Sequence, residues 1–146
     1  EYNVRFGDPE CQPLLLRLQS DLAGIMRACV DGTLARTPVV SRAETALCVV
    51  MAAKGYPGSY PKGMDISGLD AADAMAGVKV FQAGTRAEGG RSLTTGGRVL
   101  GVTALGADLA QAQAAAYRAV DAVHFDQSYV RRDIGDKGIR RLGLKK

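Results

Sequence analysis

The sequence has few residues of the kinds that form disulfide frameworks and zinc sites: it contains three cysteines and one histidine among 146 residues. The odd number of cysteines, with no CxxC pair, argues against a disulfide framework. Free thiols are typical of a reducing compartment, so we expect the cytoplasm, with the plastid as the alternative. The scattered cysteines and the single histidine also disfavour a zinc site of the usual four-ligand kind.

Tryptophan is absent, and phenylalanine and tyrosine are scarce, with three and five copies. No apolar run approaches the roughly 18–20 residues of a membrane helix, so we expect no membrane partner. The net charge of +4 is mild and concentrates late in the chain. A nucleic-acid-binding protein would show a recognisable module or a set of stacking aromatics, and here only Tyr129 lies beside basic residues, Arg131 and Arg132. We therefore favour a solvated basic tail over nucleic-acid binding.

What the sequence does have is material for a buried core, since 47% of its residues are hydrophobic and 23% are charged. That core must be built mainly from aliphatic side chains and alanine. The first residue is glutamate, inside a pattern that already alternates. We therefore expect the chain to be part of a longer protein.

The first 40 residues predict a strand followed by helices. Residues 1–6 alternate between apolar and polar, which predicts a strand. The turn at residues 7–10 starts a helix, with Asp8 as the candidate N-cap and Pro9 at the first helical position. A helical apolar pattern over residues 14–30 stops at residues 31–32, and Pro13 and residues 20–21 are its candidate points of division into two shorter helices.

The remaining residues alternate between strand and helix patterns. The clearest helix covers residues 108–123, with Asp108 and Gln111 at capping-box spacing. Gly96 and Gly97 predict a hairpin between residues 93–95 and 98–105. The other predictions are strands at 46–53, 78–85 and 129–134, a short helix at 71–75, a polar loop at 86–91, and a loop with a final helical turn at 135–142.

These elements predict an α+β fold, with a mostly antiparallel sheet and helices packed against it. A boundary near residues 39–44 would divide the chain into a first segment, 1–40, and a compact domain, 41–146.

The first candidate site lies at the start of the chain. On a strand, alternation would direct Glu1, Asn3 and Arg5 into the same space. A carboxylate and an amide oxygen suit Mg²⁺, and a nearby arginine can stabilise a transferring phosphoryl group. The spacing is also typical of a polar strand face that binds no ligand, and on these five residues alone we favour that interpretation.

The longer string EYNVRFGDPECQ resembles the last core strand and following turn of the ATP-grasp domain in glycinamide ribonucleotide synthetases (phosphoribosylamine–glycine ligases). The resemblance continues, in the family's order, through VVMAAKGYPGSY, VFQAGT, GGRVLGVTALG and YVRRDIG. These blocks span nearly the whole chain. Residues 1–40 would then be the C-terminal end of the ATP-grasp domain, and residues 41–146 the family's C-terminal domain.

The resemblance implies an ATP-dependent ligase that joins glycine to 5-phosphoribosylamine and releases ADP and phosphate, in purine biosynthesis. It implies Glu1 and Asn3 as ligands of Mg²⁺ (or Mn²⁺), and Arg5 as a catalytic residue near the transferred phosphate. It places Asp8 near the amino-ribonucleotide, a role that is compatible with capping a helix. The ATP-binding lid and the N-terminal domain are not in this sequence, so we expect the chain alone to be inactive.

The second candidate site is the segment Thr95-Gly96-Gly97-Arg98. Glycine lets the backbone approach an anion closely, and arginine can bind a phosphate through two parallel hydrogen bonds. By resemblance to a related ribonucleotide transformylase, Gly97 and Arg98 are expected to bind the 5′-phosphate of phosphoribosylamine. An exposed arginine beside a hairpin turn explains the same residues.

Two classes of function follow. The first is a ligase fragment whose partners are glycine, 5-phosphoribosylamine, ATP and the missing N-terminal and ATP-grasp domains. The second is the same domain reused as a structural or interaction module in a larger assembly. The sequence upstream of Glu1 would discriminate between them, because a glycine-rich lid and a further acidic ligand belong only to the enzyme.

Overall fold

The computed structural model describes residues 4–144. Five α-helices are described, at Cys11–Arg17 (α1), Leu22–Val30 (α2), Leu69–Asp73 (α3), Leu109–Ala122 (α4) and Asp136–Arg141 (α5). Seven strands are described, at Thr45–Ala53 (β1), Asp65–Ile66 (β2), Val78–Gln82 (β3), Thr85–Glu88 (β4), Arg91–Thr94 (β5), Arg98–Gly106 (β6) and Ser128–Val130 (β7). None of the helices within 4–144 has the length and apolar character that a membrane crossing requires.

The larger sheet has four strands in the order β3-β6-β1-β7, and every pair is antiparallel. Its two central strands, β1 and β6, are nine residues long and largely buried. Both consist mainly of apolar residues, the pattern of a strand that is covered on two faces. A second sheet has three antiparallel strands in the order β2-β5-β4.

Helix α4 covers one face of the larger sheet. It begins where the side chain of Asp108 accepts a hydrogen bond from the backbone N–H of Gln111. Its inward face is nearly all alanine, so the helix lies close to the sheet, and it packs against alternate residues of β1: Leu47, Val49, Met51 and Ala53. These contacts form the core of the fold.

Helix α1 lies against β1 and β6 on the opposite face of the sheet. Gly101 of β6 faces the side chains of Cys48 and Gln12, and a Cβ atom there would lie 3.3 Å from the sulfur of Cys48. The glycine therefore gives α1 room to approach. Beyond α1, this face carries the cavity described in the next section.

The register between β1 and β6 contains a bulge at Val99. Met51 pairs with Leu100 and Ala52 pairs with Arg98, so Val99 is an extra residue on β6. An unbroken register would place Arg98 opposite Ala53, on the face covered by α4. Because side chains alternate between faces, the extra residue turns Arg98 to the other face of the sheet.

Several predicted elements are confirmed. The strand at 46–53, the division of the first helical pattern at residues 20–21 and the helix capped by Asp108 all match the structure. The antiparallel α+β fold class is confirmed as well. The short helix at 71–75 occurs two residues earlier, at Leu69–Asp73. The strand predicted at 129–134 is confined to Ser128–Val130.

The predicted strand at residues 1–6 is wrong for its described part. Val4 and Arg5 form a bend, Phe6 belongs to no strand, and Val4 is fully exposed. A strand needs a neighbour to complete its backbone hydrogen bonds, and no described strand lies beside these residues. Glu1 and Asn3 lie outside the described residues.

The N-terminal cap of the first helix was also predicted wrongly. Helix α1 begins at Cys11, so Glu10 is its N-cap and Pro9 is not in its first turn. Asp8 does not cap it, because its carboxylate is bonded to the side chains of Gln12 and Arg98 instead.

The hairpin predicted at Gly96 and Gly97 is wrong, as is the loop predicted at 86–91. Strand β4 covers residues 85–88 and pairs with β5, and the turn between them is Gly89-Gly90. Both of those glycines have positive φ values, 57° and 76°, as a tight hairpin turn of this kind requires. Gly96 and Gly97 instead carry the chain from the smaller sheet to the larger one.

Candidate functional site

A cavity of about 340 Å³ opens on the sheet face opposite α4, and we call it the sheet cavity. Its floor is formed by alternate residues of β1: Cys48, Val50 and Ala52. Its walls and rim are formed by two apolar residues, two tyrosines and two arginines: Pro9, Ile134, Tyr56, Tyr129, Arg98 and Arg131. None of these lining residues is acidic, so the cavity suits an anion that is attached to a small uncharged body.

The register of three neighbouring strands arranges part of this lining. Ala52 lies opposite Arg98 of β6 on one side and opposite Tyr129 of β7 on the other. Directly paired residues in a sheet share a face. The strands therefore place the guanidinium group and the phenol ring on either side of a small alanine.

Arg98 is paired with Asp8. Its Nη1 atom lies 3.1 Å from Oδ2 of Asp8 and donates a 3.2 Å hydrogen bond to the backbone oxygen of the same residue. The side chain of Gln12 holds the carboxylate from the other side, because its Nε2 donates to Oδ1 at 3.0 Å. Within residues 4–144, Nε and Nη2 of Arg98 make no hydrogen bond. These two atoms form a fork that can bind a phosphate or a carboxylate.

Gly97 precedes Arg98 and lies against two aromatic rings. A Cβ atom at this position would collide with the ring of Tyr56 and would lie 2.9 Å from Cε1 of Tyr60. The two rings contact each other at a centroid distance of 6.2 Å, tilted by 59°. Glycine at position 97 is therefore needed for the packing of Tyr56, which forms part of the cavity wall.

Arg131 is held by Asp133 through two parallel hydrogen bonds. Nε donates to Oδ1 at 3.0 Å, and Nη2 donates to Oδ2 at 2.8 Å. This hydrogen bonding holds the pKa of Asp133 below its usual range, and it raises the pKa of Arg131. Both groups therefore stay charged throughout the neutral pH range.

Cys48 is the one ionisable residue in the floor. Burial raises the pKa of its thiol, a side-chain interaction with Thr103 on the paired strand opposes that effect, and the negative charge of Asp8 adds to it. Only 8% of the residue is exposed. At neutral pH the thiol is therefore protonated and acts as an apolar floor residue.

The structure brings together three of the residues predicted from the sequence and separates the others. Arg98 lines the sheet cavity, Asp8 is bonded to it, and Gly97 supports its wall. Arg5 does not line this cavity; it is exposed, and its Nη1 donates to the backbone oxygen of Phe6 at 3.2 Å.

Glu1 and Asn3, the predicted magnesium ligands, lie outside the described residues. Between residues 4 and 144, no group of three or more His, Cys, Asp or Glu side chains is arranged to hold a metal ion.

Sequence reasoning missed three residues of the site: Tyr56, Tyr129 and Arg131. A signal for two of them was present, because Tyr129 and Arg131 are two positions apart in a strand pattern and so share a face. The position of Tyr56 depends on a turn that folds back onto Gly97, and no local pattern specifies that contact.

Comparison with protein families places most of this fold in one group. Residues 46–137 match the family model described as "Phosphoribosylglycinamide synthetase, C domain". The matched range covers β1 to the start of α5, so it includes the floor of the cavity and both of its arginines.

Individual relatives match over nearly the whole chain. A phosphoribosylamine–glycine ligase of Allochromatium vinosum is 55% identical over 141 residues, which are 97% of this chain and 33% of the relative. One from Rhodopirellula baltica is 51% identical over 95% of this chain and 32% of the relative. A chloroplastic phosphoribosylamine–glycine ligase of Arabidopsis thaliana is 49% identical over 97% of this chain and 27% of the relative.

A solved structure agrees with these matches. The crystal structure of a phosphoribosylamine–glycine ligase from Thermotoga maritima superimposes with a TM-score of 0.71 at 34% identity. The match covers 92% of this chain and 32% of that one. The chain thus spans about a third of the length of the relatives that it matches.

Proposed function

The chain belongs to the phosphoribosylglycinamide synthetase family, and from this premise we propose that it is the C-terminal part of an ATP-dependent ligase that joins glycine to 5-phosphoribosylamine. The observation that carries the proposal is the identity of 49–55% with phosphoribosylamine–glycine ligases over 95% or more of the chain. The compartment is proposed to be the cytoplasm or, as for the plant relative, the plastid.

The proposed reaction has two steps. A carboxylate oxygen of glycine attacks the γ-phosphorus of ATP, and ADP leaves. The amine nitrogen of phosphoribosylamine then attacks the carbonyl carbon of the resulting acyl phosphate; phosphate leaves and the nitrogen loses a proton. The products are glycinamide ribonucleotide, ADP and phosphate.

Within this reaction, we assign the sheet cavity to the amino-sugar phosphate. Arg98 would bind the phosphate through Nε and Nη2, the two atoms that Asp8 leaves free. Asp8 would orient Arg98 and lie near the sugar. Gly97 would act through the backbone and through the packing of Tyr56 that it permits.

The phosphoryl-transfer step is assigned to the start of the chain and to the rest of the ligase. Glu1 and Asn3 are the proposed ligands of Mg²⁺ (or Mn²⁺), and Arg5 is the proposed catalytic residue near the transferred phosphate. ATP would bind mainly to the rest of the full-length ligase, since this chain spans only about a third of the length of its relatives. We therefore expect the 146-residue chain alone to form no ADP.

The test is an assay of the full-length protein that contains this chain. Release of ADP is followed with glycine, phosphoribosylamine and Mg²⁺ present, and each is then omitted in turn. Glu1→Ala and Asn3→Ala are expected to lower turnover strongly and to raise the Mg²⁺ concentration needed for half of the remaining rate. Arg98→Ala is expected to raise the KM for phosphoribosylamine and leave the KM for glycine unchanged.

A full-length protein that forms no ADP, or that lacks an ATP-binding region upstream, would contradict the ligase proposal. In that case the chain would be a reused domain, and its function would be sought in the assembly that contains it.

A further inference from the structure

The sheet cavity contains a second arginine that neither the residue patterns nor the family resemblance assigned. Arg131 lies just after β7 and lines the cavity together with Arg98. The floor between them is formed by Cys48, Val50 and Ala52, of which Cys48 and Ala52 are buried. An anion that enters this cavity therefore meets two guanidinium groups and an apolar floor, where electrostatic attraction is stronger than in water.

The backbone that carries Arg131 is fixed to α4. The hydroxyl of Tyr117 donates to the backbone oxygen of Arg131 at 2.8 Å and accepts from the backbone N–H of Ile134 at 3.1 Å. The buried side chain of Gln113 donates to the backbone oxygen of Ile134 at 2.7 Å. The segment is thus held at both ends by a helix of the core, which gives the arginine a defined position.

The hydrogen bonds to Asp133 orient the guanidinium group and leave part of it available. Asp133 takes one hydrogen from Nε and one from Nη2 of Arg131. Within the described range 4–144, Nη1 makes no hydrogen bond. Since a guanidinium group has five N–H donors, three remain for a ligand without loss of the Asp133 pair.

The neighbouring Arg132 shows that this arrangement is specific to position 131. Arg132 is paired with Asp121 at 2.7 Å and lies over the ring of Tyr117 at 5.5 Å. Its side chain is as exposed as that of Arg131, at 61%, yet it does not line the cavity. The two arginines thus have the same charge, similar exposure and an aspartate partner each, and they differ in access to the cavity.

We propose that Arg131 is a second binding residue for the phosphate ester of the amino-sugar substrate, acting with Arg98 from the other side of the sheet cavity, and that Asp133 positions it. The inference rests on the proposed function for the identity of the substrate. Tyr56 and Tyr129 would then flank the sugar, between the two arginines.

The experiment compares Arg131→Gln with Arg132→Gln in the full-length protein. Two measurements are made: the Kd for ribose 5-phosphate, a stable probe that has the phosphate ester and lacks the amine, and the KM values for all three substrates. Arg131→Gln is expected to raise the Kd for the probe and the KM for phosphoribosylamine by about ten- to a hundredfold, as for the loss of a charged hydrogen bond. Its KM values for glycine and ATP should not change.

Two further variants separate a binding role from a structural one. Arg131→Lys keeps the positive charge and loses the planar pair of N–H donors, so it should bind the probe more tightly than Arg131→Gln and less tightly than the wild type. Asp133→Asn should weaken probe binding less than Arg131→Gln does, because it removes orientation but not the donors. The Tm of each variant is measured to confirm that it is folded.

An Arg131→Gln protein that binds ribose 5-phosphate within twofold of the wild type would overturn the inference. Equal weakening by Arg132→Gln would overturn it as well, since it would show a general charge effect. If the wild-type protein forms no ADP but binds the probe through Arg131, the ligase proposal fails and the phosphate site stands.

Discussion

Asp8 and Arg98 are 90 residues apart in the sequence and form an ion pair of 3.1 Å at the edge of the sheet cavity. The pair joins the turn before α1 to the first residue of β6, and so connects the first segment of the chain to the central sheet. Both side chains remain nearly half exposed, at 44% and 43%. An exposed pair of this kind contributes little to stability, and its value is in the orientation it gives Arg98.

The first prediction concerns this orientation. Asp8→Asn should raise the KM for phosphoribosylamine about two- to fivefold, the range of a partly exposed ion pair. Arg98→Ala should raise it about ten- to a hundredfold, the range of a charged hydrogen bond. Because Asp8 acts through Arg98, the double variant should be no worse than Arg98→Ala alone. Additive effects in this double-mutant cycle would mean that Asp8 contacts the substrate independently.

The second prediction concerns Gly97. Gly97→Ala should lower the free energy of unfolding by about 1–3 kcal/mol, as overpacking does, because its Cβ collides with the ring of Tyr56. In a Tyr56→Ala background the same substitution should cost clearly less. Thermal or urea unfolding of the four proteins measures the coupling. A cost that is unchanged by Tyr56→Ala would rule out the ring contact as its cause.

The third prediction concerns pH. The hydrogen bond from Lys79 (2.6 Å), and then that from the backbone N–H of Val80 (2.8 Å), hold the pKa of Asp73 below its usual value. A carboxyl group with a lowered pKa stabilises the fold above its unfolded pKa, about 3.9, and loses this contribution as the pH falls through its folded pKa.

We therefore expect Asp73→Asn to reduce the urea midpoint at pH 7, and the difference from wild type to shrink below about pH 4. The effect should be small, about 0.5 kcal/mol or less, since the side chain is 36% exposed and screened by solvent. Asp126→Asn is the control, because Asp126 is exposed and its side chain makes no hydrogen bond within the described structure. A difference that grows on acidification would contradict the assignment.

The fourth prediction concerns the thiols. Cys29 is exposed and Cys48 is buried with a raised pKa, so a thiol reagent at pH 7.5 should label Cys29 much faster. Ribose 5-phosphate should slow the labelling of Cys48 and not that of Cys29. Mass spectrometry of digested samples gives the rate at each site, and equal rates would contradict the packing of the cavity floor.

Elements with a strong local pattern were predictable from the sequence. The run from Ala46 to Ala53 is apolar throughout and is a buried strand. Asp108 caps α4, and that helix has one alanine-rich face, so both its start and its orientation follow from spacing. In these cases the local preference and the packing agree.

Elements that depend on distant contacts were not predictable. The chain has two pairs of adjacent glycines that both look like hairpin turns, and only Gly89-Gly90 is one. The other pair is required by packing, since Gly96 lies against Gly84 and Gly97 against Tyr56. Likewise, the bulge that turns Arg98 toward the cavity depends on the register with β1, which no short segment of sequence encodes.

Because side chains alternate along β1, this one strand contributes residues to two different surfaces. Leu47, Val49 and Met51 pack in the core under α4, while Cys48, Val50 and Ala52 form the cavity floor. Mutations in the first set should lower the amount of folded protein. Mutations in the second set should change which ligand the cavity binds. A library for new substrates should therefore randomise Val50, the floor residue that is only half-buried, and keep the buried Cys48 and Ala52 small, so that the sheet retains its packing.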